Sequence, residues 1–393
     1  MVNEALNEKV HALLLEQIAR GTQLGTQVCA YLGGEKIVDT WAGQMGPRDP
    51  RPVGPDTLFS SFSTTKGVAA TALHILADRG VIEYEQPVAR YWEAFGQQGK
   101  ERVTVAQAMS HQAGLHAMPM TPEGAAPLLE WENGLRYIEE GVPAWAPGTA
   151  TGYHAITYGW IAGGIIQHAD GRHIQQVLAE EIAAPLGLEG EMYIGIPEGV
   201  EDRLATLLTA EEQAAAAGQG QQQQGRAAMF QVPPDHDFFK AMPPRLGWNF
   251  NDMRVRRACL PAANGHFTAR ALAKMYAALA NGGVVDGVRL VSKERIPLMS
   301  AIQVEEPDRV IMMPLPKSIG FFNGGKVAGQ HGATGPRKTA FGHPGAGGSI
   351  AFADPEVGLA VAVTINKMQS TLQAEGPTFE ICELIRQELG LNG

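Results

Sequence analysis

In the stretch FSSFSTTKGVAATALHILADRG, residues 59–80, Ser63 stands three positions before Lys66, where an apolar helical pattern begins. A serine hydroxyl is a weak nucleophile until a neighbouring group takes its proton. Residues three apart share a helix face, so the lysine amine can reach the serine oxygen. The free N–H groups and the dipole of a helix N-terminus also favour negative charge nearby. Ser63 is therefore a candidate nucleophile with Lys66 as proton partner. Taken alone, the pair reads more readily as a helix-capping serine and a solvated lysine.

Two further stretches carry compatible chemistry. In AWAPGTATGYHAITYG, 144–159, Tyr153 follows a Pro-Gly turn and opens a second helical run whose glycines permit close packing. A phenolate stabilised by a lysine ammonium is a capable general base. In FGHPGAGGSIAFA, 341–353, His343 precedes a Pro-Gly turn that feeds a strand. Small residues there let an acyl group lie against the strand, and a free N–H such as that of Ala346 can donate to an oxyanion. Singly, these are also a half-buried tyrosine and a glycine-rich turn.

The elements that must position these residues come from both ends of the chain. Leu6, Val10, Leu13, Leu14 and Ile18 form a helical stripe, and QVCAYLGGEKIVDTWAG reads as a hairpin split at Gly33-Gly34. Near the other end, GGSIAFADPEVGLAVAVTINK forms a hairpin around Asp354-Pro355, and FEICELIRQELG closes as a helix. The pattern predicts an α/β (α+β) fold: an antiparallel sheet built from both chain ends and flanked by helices, with a mainly helical domain inserted. Residues 1–80 and 260–393 are assigned to the sheet domain and 81–259 to the helical one. The helical part includes VTVAQAMSHQAGL and ITYGWIAGGIIQHADG. EEQAAAAGQGQQQQGR, 211–226, reads as a surface connection, and an irregular flap completes the segment near 211–257. Its aromatics Phe230, Phe238, Phe239, Trp248 and Phe250 can line an acyl or alcohol pocket, or only pack the insertion onto the body. Trp248 and Phe250 are taken as substrate-binding candidates.

Composition narrows the function classes. The chain has 393 residues, 45% hydrophobic and 18% charged, with formal net charge −10. No basic block occurs, which argues against nucleic acid and anionic membrane as partners. Three scattered cysteines in no CxxC pair suggest neither a disulfide framework nor a zinc cluster. The acid-bearing start is unlike a signal peptide, and no apolar run is long enough to span a bilayer. These features point to a cytoplasmic protein; they do not give its oligomeric state. GxSxG, HExxH, a GxxxxGK[ST] phosphate loop and a convincing dinucleotide fingerprint are all missing, so no metal or cofactor is called for. His111 and His116 read as an ordinary helix-loop pair rather than ligands.

In this order, SxxK, a tyrosine in a PGxxxxY context and HxG before a late strand, the sequence resembles the serine β-lactamase and penicillin-binding protein superfamily. The resemblance is to the class C-like branch that includes the family VIII carboxylesterases. It covers roughly residues 20–385, with MSHQAGL at 109–115 and AANGHFTARALAKMYAALANGG at 262–283 as supporting stretches. It implies that Ser63 is acylated, that Lys66 sets its protonation, and that Tyr153 shuttles a proton to the leaving group and then activates water. It also implies an oxyanion hole made by the Ser63 and Ala346 N–H groups, with His343 and Gly345 beside the substrate. Two departures stand out. Tyr153-His154-Ala155 replaces the Tyr-x-Asn of class C β-lactamases, and His343-Pro344-Gly345 replaces their Lys-Thr-Gly. A histidine in place of a permanent cation weakens carboxylate recognition.

The resulting expectation is a serine carboxylesterase acting on small, neutral, short-chain acyl esters. The alternatives are an acyltransferase or amidase/β-lactamase-like hydrolase on the same scaffold, and a non-catalytic binding protein.

Overall fold

The computed structural model describes residues 2–210, 212–213, 233, 235–327, 329–369 and 375–391. Most of the expected connection at 211–226, and Phe230, lie outside the described residues. A helix α1 (Glu4–Ala19) is followed by strands β1 (Gly25–Leu32), β2 (Glu35–Gly46) and β3 (Asp49–Pro52) and by helix α2 (Thr64–Asp78). Helices α3 (Thr157–Asp170) and α4 (Ala269–Ala280) come next, then strands β4 (Phe322–Asn323), β5 (Phe341–Pro344), β6 (Ile350–Asp354) and β7 (Leu359–Ile365), and helix α5 (Pro377–Glu388).

The strands form one antiparallel sheet in the order β3-β2-β1-β7-β6-β5-β4. The two chain ends meet at its centre, where Val28 pairs with Val363 and Cys29 with Ala362. The β1–β2 turn uses Gly33 and Gly34 at φ 58° and 84°, a left-handed conformation that a side chain would resist.

Alternation along the strands gives the sheet two different faces. Val28, Ala30, Ile350, Phe352, Leu359, Val361 and Val363 pack against Leu6, Val10 and Leu14 of α1 and Ile381 and Ile385 of α5. Asn3 caps α1 by accepting the Leu6 N–H. The opposite face presents Cys29, Ala351, Ala353, Ala360 and Ala362 to the main core, which contains α2 and α4. Small side chains on that face let buried helices approach closely.

Helix α2 is the innermost element, with every residue from Thr64 to Ala77 buried. It lies between the sheet and the helical segments, and α3 packs beside it. Glycines in α3 make this possible: Gly163 and Gly164 face the rings of Trp131 and Trp92, which leave no room for a Cβ. The chain before α2 is held by a small sheet of Phe59–Ser60, Gly265–Phe267 and Met192–Ile194, and the Ser61 N–H donates to the Gly265 carbonyl at 2.9 Å. The helix expected through 103–115 is shorter than its apolar pattern, running only from Val105 to Met109. It ends because His111 takes φ 65°, which no helix continues. Among the described residues, no helix is long and apolar enough to cross a membrane.

A Cβ at Gly159 would sit 2.6 Å from the Ala262 nitrogen and 2.9 Å from the Pro261 nitrogen, backbone atoms that cannot rotate aside. Gly159→Ala should therefore lower unfolding free energy by about 1–3 kcal/mol through overpacking, despite alanine's better helix propensity. A urea titration checks this; an unchanged or raised midpoint would show that the 261–262 segment yields freely.

Candidate active site

Ser63 occupies the position before the first residue of α2, but its side chain makes no capping hydrogen bond. Its hydroxyl is turned toward two other groups. Lys66 Nζ lies 3.1 Å from Ser63 Oγ, and the Tyr153 hydroxyl donates to the same oxygen at 2.8 Å. The residue before it, Phe62, is held at φ 46°, a costly conformation for an aromatic residue. Thr65 Oγ1 holds this turn by donating to the Phe62 carbonyl at 2.5 Å and accepting the Gly265 N–H at 2.9 Å.

The Lys66 amine has no solvent exposure. It donates to the carbonyls of Ala155 at 2.7 Å and Ala262 at 2.9 Å. Burial pushes its pKa well below the ordinary 10.5. A neutral amine has two N–H donors and one lone pair. Nζ stands within donor range of three oxygens, Ser63 Oγ and the two carbonyls; once deprotonated, it keeps its two donors for the carbonyls and turns its lone pair to Ser63, which suits proton acceptance.

Tyr153 sits in the extended stretch before α3 rather than within the helix, and is 6% exposed. Burial raises the pKa of its phenol, only partly opposed by the hydrogen bond to Ser63, with Asp308 raising it further. Lys66 Nζ lies 4.8 Å from the ring centroid, and it and the phenol oxygen both meet Ser63 Oγ. The resting tyrosine is thus a neutral phenol, not the lysine-stabilised phenolate expected from sequence. The ammonium that would stabilise the anion is itself disfavoured by burial.

The 343–346 turn reaches the serine. Gly345 lies so close to the Ser61 carbonyl that a Cβ would collide with it, and Thr64 Oγ1 would be 3.0 Å away. Among the described residues, the N–H groups of Ser63 and Ala346 find no acceptor. His343 is 1% exposed, stacks on Tyr153 at 5.9 Å and tilts against Phe322 at 4.4 Å. Its Nδ1 contacts the Pro344 carbonyl at 2.8 Å and its Nε2 is buried without a partner. Burial, and secondarily Lys66, holds the imidazole pKa well below its usual value, so His343 is neutral.

Trp248 and Phe250 line a pocket of about 390 Å³ with Ile156, Met242, Pro243, Pro244, Leu246, Gly247 and Asn249, none of them charged. Phe250 packs on Phe62 at 4.9 Å, which connects the pocket to the Ser63 turn. Both aromatics also rest on the main core, so the pocket and packing roles coincide. Phe238 and Phe239 stack edge-on against each other at 5.4 Å and do not line the pocket.

The sequence reading missed several contributors. His154 is a structural residue, with Nε2 accepting the Leu115 N–H at 2.9 Å and Nδ1 contacting the Gly152 carbonyl at 2.7 Å. His111 Nδ1 accepts the His154 N–H at 3.1 Å, and its ring packs on Tyr153 at 5.1 Å. Asp308 Oδ1 accepts the Tyr153 N–H at 3.1 Å from a segment that the motifs do not touch. Among the described residues, no group of three or more His, Cys, Asp or Glu is arranged to hold a metal ion.

The family model described as Beta-lactamase matches residues 10–381. A protein of Mycobacterium tuberculosis, "Esterase/beta-lactamase LipL", is 36% identical over 361 residues, covering 88% of this chain and 78% of the relative. Among solved structures, a penicillin-binding protein homologue from Caulobacter crescentus has a TM-score of 0.86 at 33% identity, covering 98% of each chain. A family VIII carboxylesterase has a TM-score of 0.82 at 32% identity, also covering 98% of each chain.

If burial governs Lys66 as described, its amine loses its proton well below pH 10.5, while exposed lysines remain charged. Nitrogen-detected NMR of lysine-labelled protein, with Lys66→Met for assignment, should show one amine titrating early as pH rises. A Lys66 signal titrating with the surface lysines would overturn the neutral-amine assignment.

Proposed function

The chain belongs to the beta-lactamase family and is a serine hydrolase of that fold, and on this premise we propose that it is a carboxylesterase hydrolysing small neutral esters through an acyl-enzyme on Ser63. The observation that carries the reading is the Ser63 hydroxyl lying between two proton-transfer groups, Lys66 Nζ at 3.1 Å and the Tyr153 phenol at 2.8 Å. The site is taken to lie where the segments 1–80 and 260–393 meet the mainly helical 81–259.

In acylation, Ser63 Oγ forms a bond to the ester carbonyl carbon while its proton passes to the Lys66 lone pair. The oxyanion accepts the N–H groups of Ser63 and Ala346. The C–O bond to the alcohol then breaks, and Tyr153 gives its phenolic proton to the departing alkoxide. This leaves a phenolate beside a new Lys66 ammonium. In deacylation, water attacks the acyl carbon and gives a proton to the phenolate; Ser63 leaves and recovers its proton from Lys66. Every proton returns to its starting group; the Lys66 ammonium forms together with the oxyanion, and the phenolate takes over the negative charge when the alcohol leaves.

Substrate preference follows from the absence of fixed charge. His343 is buried and neutral, and the residue two past Tyr153 is Ala155, which offers no side-chain amide. Neither favours the carboxylate and amide of a β-lactam. The uncharged pocket around Trp248 and Phe250 supports an acyl or alcohol group without charge.

Initial rates on p-nitrophenyl esters from acetate to octanoate, beside a chromogenic cephalosporin, test this reading. The short esters should turn over with little cephalosporin cleavage, and Ser63→Ala should lose on the order of 10³-fold or more. Fast cephalosporin cleavage would overturn the substrate preference, and full activity in folded Ser63→Ala would overturn the nucleophile. Preference for an added alcohol over water would instead identify acyl transfer.

A pH profile supplies a second test. Lys66 must be unprotonated to accept the serine proton, so kcat/KM should rise with pH through its lowered pKa and fall as the medium is acidified. The midpoint should lie well below 10.5; a rising limb near the ordinary lysine value would contradict the role given to Lys66.

A further inference from the structure

Lys317 Nζ and Asp308 Oδ2 are 2.8 Å apart, and neither side chain reaches solvent. Burying an ion pair brings little net stability, because desolvation offsets the attraction. Some of the pair's other bonds close its own loop, and the rest lead toward Tyr153. Asp308 Oδ1 accepts the N–H of Tyr153 at 3.1 Å and those of Val310 and Ile311 at 2.8 Å each. Lys317 Nζ donates to Thr151 Oγ1 at 2.9 Å, and the Arg309 N–H donates to the Thr151 carbonyl at 2.9 Å. The loop carrying the pair is closed by bridges between Val304 and Lys317 and between Pro307 and Pro314. Both members of the pair thus grip the three-residue stretch that ends in Tyr153.

The groups facing Tyr153 come from several elements. Lys66 lies over its ring at 4.8 Å, and His343 and His111 pack at 5.9 and 5.1 Å. His154 follows it in the chain. The three imidazoles are kept neutral by burial. Apart from the proton relay itself, the charge that bears on Tyr153 among these contacts is that of Asp308, which Lys317 pairs at 2.8 Å.

We propose that Asp308 and Lys317 are a positioning pair that fixes the Tyr153 hydroxyl against Ser63 and, by cancelling each other's charge, sets how readily that phenol gives its proton to a leaving alkoxide. This rests on the proton-donor role given to Tyr153 above. Removing the cation leaves an anion beside Tyr153, which opposes phenolate formation and makes the phenol a weaker acid. Removing the anion while keeping an acceptor oxygen leaves a cation, which has the opposite effect.

The test compares ethyl butyrate, whose alkoxide needs a proton to leave, with p-nitrophenyl butyrate, whose phenolate leaves without one. Lys317→Met should lower the ethyl-to-aryl ratio of kcat/KM by on the order of tenfold, about one unit of phenol acidity. Asp308→Asn should leave that ratio unchanged or raise it, and the Asp308→Asn/Lys317→Met double variant should return it toward the wild-type value. Lys317→Gln serves if Lys317→Met does not fold. Variants that slow both substrates in parallel, with the ratio fixed, would make the pair structural only and overturn the proposal. Tyr153→Phe separates the two levels. If it leaves the ratio unchanged, the proton-donor role itself fails; if it lowers the ratio while the charge variants do not, only the role of the pair fails.

Discussion

An amine cannot be buried without partners, and Lys66 is buried completely. Leaving such a group unsatisfied would cost several kcal/mol. Its two carbonyl acceptors come from Ala155, ahead of α3, and Ala262, ahead of the short strand Gly265–Phe267. Three segments remote in sequence must therefore converge on one nitrogen. That requirement explains why Gly159 has no side chain, since α3 must lie against the backbone at 261–262 to bring both carbonyls within reach. It also explains the burial of α2 on all sides: water at the amine would supply other partners and restore its ordinary basicity.

The same close fit holds Ser63. One face of the sheet is reduced largely to alanine, which allows the buried helices to settle against it. The end of β5 then comes so near the Ser61 carbonyl that only glycine fits at 345. Phe62 takes a left-handed backbone conformation ahead of the serine, and Thr65 Oγ1 ties that turn to Gly265. The strain is local, and the surrounding strands and helix oppose its release.

Much of this was legible in sequence because it is periodic or closely spaced. The terminal hairpins showed as alternating runs around Gly33-Gly34 and Asp354-Pro355, and the pairing of Ser63 with Lys66 followed from helix geometry alone. The protonation state of Tyr153 was not legible, since it depends on depth of burial. The Asp308–Lys317 pair was hidden for another reason. Its partner is a backbone N–H 155 residues away, and an acid and a base nine positions apart in a proline-rich segment resemble solvated charges. The flap aromatics were half legible: the sequence reading singled out Trp248 and Phe250, which line the pocket, but that they also pack on the main core shows only in the fold.

Burial lowers the Lys66 pKa and raises that of Tyr153, which biases both groups toward their neutral forms, and this has a consequence for the proposed reaction. A relay that starts neutral passes its first proton without separating charge between its own groups, except toward the substrate oxyanion, where the free N–H groups of Ser63 and Ala346 are available. The ammonium forms first, opposite the oxyanion, and the phenolate joins it once the alcohol has left, with Lys66 Nζ 4.8 Å from the Tyr153 ring centroid in a medium where single charges are costly. A substrate bringing its own carboxylate would disturb this balance, because neutral His343 offers no permanent cation to offset it. On the proposed reading, the depth at which the amine is buried and the preference for neutral esters are two results of one electrostatic condition.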